Sequence, residues 1–166
     1  VLFQMMQYSD IIFGDQNEWE IASGVPHIPF EALDENYVID REAYLSYFRK
    51  MHRLFPKCKK MVMAVRNQIA SSHHTLSGLL YDTVEDQLYT TRIYDIQPIV
   101  DPMGVGDAFI AAYIHAHQKW GDENQYCLDF SLSASAIKNT IPGDQNLVSE
   151  EEIISNMTSS GGRIQR

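Results

Sequence analysis

Short apolar runs suited to buried strands alternate along the chain with segments of helical periodicity, and this alternation is the strongest constraint on the fold. Residues 10–13 and 60–65 form two such runs. Between them, residues 41–55 carry apolar side chains at the spacing of an amphipathic helix. Strands that alternate with helices typically build a mostly parallel sheet covered by helices. The sequence therefore predicts an α/β sandwich.

The remaining segments add one antiparallel exception and several helices. Residues 76–81 and 88–93 flank an acidic turn and predict a β-hairpin. Asp15 and Glu18, and likewise Ser149 and Glu152, have the spacing of a capping box, which marks the start of a helix. Further helices are expected at residues 108–120 and 124–139, whereas residues 25–40 are interpreted as a loop or insertion.

Composition excludes several classes of function. The 166 residues suffice for one domain with a proper core, and no apolar run is long enough to cross a bilayer, so we expect no membrane partner. A net charge of −9 argues against nucleic acid as a partner, because phosphate contacts need clustered Lys and Arg. The two cysteines lack metal-ligand spacing, which fits a cytoplasmic protein. The chain starts with Val1, so we expect it to begin inside a longer protein.

The segment Gly104-Val-Gly-Asp107 is the candidate for chemistry. Its two glycines allow successive backbone N–H groups to converge on one point, at the positive end of the helix that follows. A carboxylate placed there would be repelled by a bound phosphate unless it accepts the proton of an attacking hydroxyl. Taken alone, a G-x-G-D pattern is more often a tight turn with the aspartate as a simple N-cap.

The full string Asp101-Pro-Met-Gly-Val-Gly-Asp-Ala-Phe109 is more specific. It resembles the second signature of the ribokinase-like (PfkB) carbohydrate kinases, typically D-T-x-G-A-G-D-x-F, and departs from it at Pro102 and Val105. The resemblance implies that Asp107 is the catalytic base and that Gly104, Val105 and Gly106 form the anion hole. It also implies that Asp101 positions the loop, in some relatives beside a monovalent cation.

An acidic pair near the start of the chain resembles another motif of this family. There a strand is followed by N-x-x-E, whose acid organises the waters around magnesium. Counting from the strand end assigns Asp15 and Glu18 to the motif, whereas matching letters assigns Asn17 and Glu20. We favour the first pair, because it needs no shift and keeps the acid one turn into the helix, although a plain capping box explains the same residues.

Two further segments resemble 2-keto-3-deoxygluconate kinases. Residues 65–81 match their strand, loop and hairpin, in which Arg66 and Ser71 would contact the nucleotide; a Gly-rich loop found in many relatives is absent. Residues 136–149 and 161–166 match the ending K-H-T-I-P-G-D-F-N-x-V-S and G-R-V-Q-R, so Lys138 and Asp144 would line the nucleotide and the active-site edge. Local chemistry alone would make these a helix-end lysine and a turn aspartate.

The resemblance covers residues 1–166 but only the C-terminal, nucleotide-binding and catalytic half of such a kinase. It implies a ribokinase-like three-layer fold, ATP and Mg²⁺ as cofactors with K⁺ as a further candidate, a sugar acid as substrate, and a homodimeric full-length protein. The N-terminal sugar-binding half and lid lie outside these residues, so we expect the fragment alone to be poorly active. Two alternatives stay open: a non-catalytic nucleotide- or sugar-binding regulator, and a kinase for another sugar such as ribose or fructose.

Overall fold

The computed structural model describes residues 1–28 and 38–159. The elements within these residues are the helices α1 (Leu2–Met6), α2 (Gln16–Ser23), α3 (Arg41–Leu54), α4 (Val105–Trp120), α5 (Asn124–Lys138) and α6 (Glu150–Thr158), and the strands β1 (Ile11–Gly14), β2 (Lys60–Ala70), β3 (His73–Asp82), β4 (Gln87–Thr90) and β5 (Tyr94–Ile96).

The five strands form one sheet with the order β1-β2-β3-β4, and β5 pairs with the first residues of β3. Strands β1 and β2 are parallel, whereas the pairs β2–β3, β3–β4 and β3–β5 are antiparallel. Of the described strands, only β3 therefore runs against the others. The sequence predicts a mostly parallel sheet, and four of the five described strands do run in one direction. Most of the strand pairs are nevertheless antiparallel, because β3 lies between strands of the opposite direction.

Two hydrophobic cores cover the two faces of the sheet. Val62 packs with α4, α5 and α6, whereas its neighbours Met61 and Met63 pack with α1, α2 and α3. Successive strand side chains point to opposite faces, so each strand contributes to both cores. The result is a three-layer α/β sandwich, as the sequence predicts.

Helix starts agree closely with the sequence. Asp15 and Glu18 form a reciprocal capping box at α2, which ends at the left-handed Gly24, and Ser149 and Glu152 form a second box at α6. Helix α4 starts at Val105, three residues before the expected position. Because of this earlier start, Gly104 is the N-cap of α4 and residues 105–107 belong to its first turn.

The β-hairpin is present as β3 and β4, but β2 and β3 are longer than expected. Adjacent His73 and His74, interpreted from the sequence as loop residues, lie on β3. His74 is buried, and His73 Nε2 lies 2.5 Å from Asp95 Oδ1. Residues 29–37, within the expected loop or insertion, and residues 160–166, including the Gly-Gly-Arg-Ile-Gln-Arg ending, lie outside the described residues.

Across the described ranges, no helix combines the length and the apolar character that crossing a membrane requires.

Candidate active site

The candidate site is built on the first turn of α4, and Gly104 fixes its geometry. Gly104 is the N-cap of the helix and adopts a left-handed backbone with φ 75°. A Cβ at this position would lie 2.2 Å from the carbonyl oxygen of Asp144. Only glycine tolerates both the conformation and the contact, so this residue brings the turn and the Asp144 segment together.

The backbone amides at the start of α4 are available to a ligand. The first helical hydrogen bond runs from Ala108 N to Gly104 O, and no side chain within residues 1–28 and 38–159 caps the helix. The amides of Val105, Gly106 and Asp107 therefore precede the helical ladder, at the positive end of the helix dipole. A Cβ on Gly106 would meet no atom within 4 Å, so open space lies beside these amides. This arrangement can bind an anion.

Asp101 holds the turn in place through two backbone amides. Its carboxylate accepts hydrogen bonds from Met103 N at 2.9 Å and from Gly143 N at 2.8 Å. These bonds, Met103 first, lower the pKa of Asp101 below its ordinary value. One carboxylate thus links the turn to the segment after α5.

A cavity of about 430 Å³ opens directly beside the turn. Gly104, Asp107 and Asp144 line it together, so the structure brings the Asp101–Phe109 motif and the 136–149 segment to one site. Asp107, in the first turn of α4, and Asp144 are both exposed. Phe130 and Ile153 supply apolar lining. The cavity size falls within the range of small-molecule sites.

His115 and Glu150 also line the cavity, although no sequence motif pointed to them. His115 Nε2 lies 2.9 Å from Glu150 Oε2, and Lys119 Nζ lies 2.5 Å from Glu150 Oε1. Lys119, followed by His115, lowers the pKa of Glu150. Helical spacing could have revealed His115, because Asp107, Ala111 and His115 are four residues apart and share a face of α4.

Asn146 contributes a polar group with unused hydrogen-bonding capacity. It lines the cavity, and within the described residues its buried Oδ1 has no hydrogen-bond partner. Buried polar atoms normally have partners. Asn146 is therefore placed to accept a hydrogen bond from a bound molecule.

Asp15 and Glu18 lie at the end of β1 rather than on the cavity. Asp15 N donates to Glu18 Oε2 at 2.9 Å, and Glu18 N donates to Asp15 Oδ1 at 2.8 Å. The Phe13 and Tyr113 rings are 5.4 Å apart, so β1 packs directly on α4. Because β1 and β5 run in the same direction, α2 begins on the side of the sheet from which β5 continues toward the α4 turn.

The competing pair, Asn17 and Glu20, is arranged differently. Asn17 is exposed, and Glu20 accepts a hydrogen bond from His27 N at 3.1 Å and also pairs with the His27 ring. The contacts with His27 lower the pKa of Glu20. Glu20 is thus engaged with the loop after α2, whereas the Asp15–Glu18 pair directly follows the strand.

The other residues assigned to nucleotide binding are dispersed. Arg66 on β2 and Ser71 in the β2–β3 turn are both exposed. The sequence predicts a nucleotide contact for Lys138, whereas the structure buries this residue completely, with Nζ donating to Ile141 O at 3.1 Å. Its ammonium therefore lies against a backbone carbonyl, and Lys138 does not line the cavity.

Comparison with known proteins identifies the fold. No protein-family model matches the chain, and no curated protein sequence does. Among solved structures, a 2-dehydro-3-deoxygluconokinase from Thermotoga maritima superposes with a TM-score of 0.81 and 28% identity. A PfkB family carbohydrate kinase from Listeria grayi gives a TM-score of 0.75 and 25% identity. The chain has the ribokinase-like fold, and its structural neighbours are PfkB-family carbohydrate kinases.

A more distant neighbour shows how widely the fold is shared. Ribokinase from Arabidopsis thaliana, solved with ribose and ATP, superposes with a TM-score of 0.63 and 17% identity, which supports the fold alone. The matches cover 96%, 94% and 95% of this chain but 44%, 43% and 44% of the Thermotoga, Listeria and Arabidopsis proteins. The chain therefore spans less than half the length of the PfkB-type kinases it matches.

Proposed function

We propose that the protein carrying this chain is an ATP-dependent kinase that phosphorylates a hydroxyl of a sugar acid. The observation that supports this most directly is that Gly104, Asp107 and Asp144 meet at one cavity beside the first amides of α4, which precede its helical hydrogen bonds. In this proposal the chain supplies the nucleotide-binding and catalytic part. The coverage of less than half of the neighbours' length supports placing the sugar-binding part outside these residues.

Asp107 is the general base of the proposed reaction. Its carboxylate is exposed and lies on the cavity, where an acceptor hydroxyl can reach it. As the hydroxyl oxygen attacks the γ-phosphorus, its proton passes to Asp107 while the bond from the γ-phosphorus to the leaving oxygen of ADP breaks. A regulator that only binds nucleotide would gain little from a carboxylate beside phosphate, which favours the enzyme over this alternative.

The first turn of α4 stabilises the transferring phosphoryl group. The amides of Val105, Gly106 and Asp107 are oriented by the helix before any ligand binds, so little reorganisation accompanies the reaction. Removing one such donor in other enzymes costs about 10²–10³ in kcat. The cavity that continues from the turn past Asn146 offers a place for the rest of the nucleotide.

The proposed magnesium contact is indirect, through water, because within the described residues no group of three or more His, Cys, Asp and Glu side chains could hold the ion directly. Glu18 uses one carboxylate oxygen in the capping box and remains exposed, so its other oxygen is open to metal-bound water. In the proposal Asp15 and Glu18 organise these waters, and the ion, when bound, neutralises charge on the phosphates. Arg66 and Ser71 remain proposed nucleotide contacts at the far end of β2.

The sugar-acid assignment rests on similarity. The Thermotoga neighbour is a 2-dehydro-3-deoxygluconokinase. The sugar acid in that name, 2-dehydro-3-deoxygluconate, is the same compound as 2-keto-3-deoxygluconate. We propose the 6-hydroxyl of that compound as the acceptor. A kinase for another sugar such as ribose or fructose is the second candidate, because the proposed sugar-binding part lies outside these residues.

The test is a coupled measurement of ADP release by the full-length protein with MgATP. The panel contains 2-keto-3-deoxygluconate, gluconate, ribose and fructose. We expect the highest kcat/KM with 2-keto-3-deoxygluconate. Higher kcat/KM with ribose or fructose would move the assignment to the second candidate, and nucleotide binding without turnover on any sugar would overturn the enzyme in favour of a regulator.

A further inference from the structure

Asn146, in the segment between α5 and α6, carries a polar atom to which the proposed phosphoryl transfer gives no role. The residue lines the cavity, and its buried Oδ1 has no hydrogen-bond partner among residues 1–28 and 38–159. A buried acceptor without a donor destabilises the folded protein. A molecule bound in the cavity offsets this cost if it supplies the donor.

The backbone holds Asn146 in a defined place, because the short segment around it is fixed on both sides. Before it, the carbonyl oxygen of Asp144 packs so closely on Gly104 that a Cβ there would be 2.2 Å away. After it, Ser149 is the N-cap of α6 and forms a reciprocal capping box with Glu152. The Asn146 amide is therefore presented to the cavity before any ligand binds, which lowers the cost of binding.

The cavity wall around Asn146 suits a flat group with apolar faces. Small side chains of α4 form one side, and larger apolar side chains from α5, α6 and the segment between them form the other. These residues are Ala108, Ala111, Ala112, Phe130, Val148 and Ile153. The three alanines have the spacing of one helix face, so their methyl groups leave a continuous slot that longer side chains would fill. A ring with polar groups on its edge fits this slot and the Asn146 amide together.

The same cavity extends from the anion-binding turn along α4. Asp107 and His115 both line it, and eight residues of helix at 1.5 Å each separate them by about 12 Å. This length exceeds what a phosphate group alone occupies. A nucleotide whose phosphates lie at the turn can therefore place its base in the slot beside Asn146.

Among the described residues that line the cavity, Asn146 Oδ1 is the one buried side-chain oxygen that lacks a donor. The Glu150 carboxylate differs, because its two oxygens pair with His115 and Lys119. A base with an exocyclic amino group can donate to Asn146 Oδ1. A base with a carbonyl at the same position would bring two acceptors together and leave both unpaired.

We propose that Asn146 selects the base of the nucleotide by accepting a hydrogen bond from the exocyclic amino group of adenine at Oδ1. The inference rests on the proposed function, because it requires a nucleotide in this cavity. Asn146 contacts the base in this arrangement and takes no part in phosphoryl transfer. The expected consequence is discrimination between adenine nucleotides and those with a carbonyl in place of the amino group.

The test compares the dissociation constants of MgADP and MgIDP for the full-length protein by calorimetry. Inosine diphosphate carries a carbonyl where ADP carries the amino group. We expect ADP to bind about tenfold more tightly, since IDP leaves the buried oxygen without a donor. Equal affinities would overturn the inference and leave the proposed nucleotide site standing. Tighter binding of IDP would also overturn it, because the amide would then present its nitrogen, and binding of neither nucleotide would overturn the proposed function as well.

Asn146→Leu keeps the approximate size of the side chain but removes the acceptor. We expect the preference for ADP over IDP to fall from about tenfold to within about twofold in this variant. Asn146→Asp keeps an acceptor at the same position and should retain the preference, even if its charge weakens the binding of both nucleotides. A preference that survives in Asn146→Leu would show that another group reads the base.

Gln145→Leu is the matched control, because it removes the exposed amide next to Asn146 and Gln145 does not line the cavity. Both dissociation constants should stay unchanged in this variant. If Asn146→Leu fails to fold, the unaltered protein and Asn146→Asp still decide between the outcomes. The measurement needs no sugar and no turnover, so a failed sugar panel leaves it intact.

Discussion

The Cα of Gly104 lies so close to the carbonyl oxygen of Asp144 that a Cβ would be 2.2 Å from it. These residues are forty positions apart in sequence, yet their contact forms one wall of the cavity. It couples the start of α4 to the segment after α5.

Gly104→Ala should disrupt the site, because the new methyl group would clash with backbone and the left-handed φ of 75° would be strained. We expect a loss of about 1–3 kcal/mol in the free energy of unfolding, the scale of such backbone strain. Urea denaturation measures it. Gly106→Ala is the matched control, because a Cβ there meets nothing within 4 Å. An equal loss in both variants would show that the contact with Asp144 is not the cause.

Asp107→Asn should remove the proposed base without disturbing the fold. The side chain is exposed, so we expect an unchanged thermal midpoint. Turnover by the full-length protein should fall by about 10²-fold or more, within the range for general base catalysis. Steady-state kinetics with the best sugar of the panel measures kcat and KM separately. Near-normal kcat would contradict the assigned role.

Asp101 should make stability depend on pH in the acid range. Its pKa is lowered in the folded state by Met103 N and then Gly143 N, so its stabilising contribution is present above the unfolded pKa of about 4. This contribution is lost as the pH falls through the lower, folded pKa. Asp101→Asn should therefore reduce the thermal midpoint at pH 7 and should differ less from the unaltered protein at pH 3. A difference that stays constant over this range would disprove the linkage.

Arg92→Gln should loosen α6, which lines the cavity through Glu150 and Ile153. The guanidinium donates to Asn156 O and Ser159 O at the end of that helix. Hydrogen bonds to charged groups contribute about 1.5–3 kcal/mol each, so we expect faster amide hydrogen exchange across α6.

Nucleotide binding should weaken in the same Arg92→Gln variant, because the cavity loses a fixed wall. Arg53→Gln, at an exposed position on α3, is the control and should leave α6 unchanged. Unchanged exchange in α6 of Arg92→Gln would show that packing against α5 suffices to hold the helix.

Local sequence determined the elements of this fold. The capping boxes at Asp15 and Ser149, the α3 periodicity and the glycines of the α4 turn act over a few residues, so the sequence predicted them with only small errors in their ends. The main errors have a physical reason too. Strand β3 extends back to His73 because β2 and β5 supply hydrogen-bond partners there, and no local pattern reports such partners.

Tertiary structure alone decided which side chains meet. The sequence assigned Asp107 and Asp144 to a site through resemblance, but only packing of α4 against the segment after α5 places both on one cavity. Burial of Lys138 likewise depends on what surrounds the end of α5, and local chemistry favoured an exposed lysine instead. The sequence by itself indicated the turn of Gly104 to Asp107 at a helix start, because backbone freedom and helix polarity are local properties. The cavity beside that turn and the burial of Lys138 are products of long-range contacts.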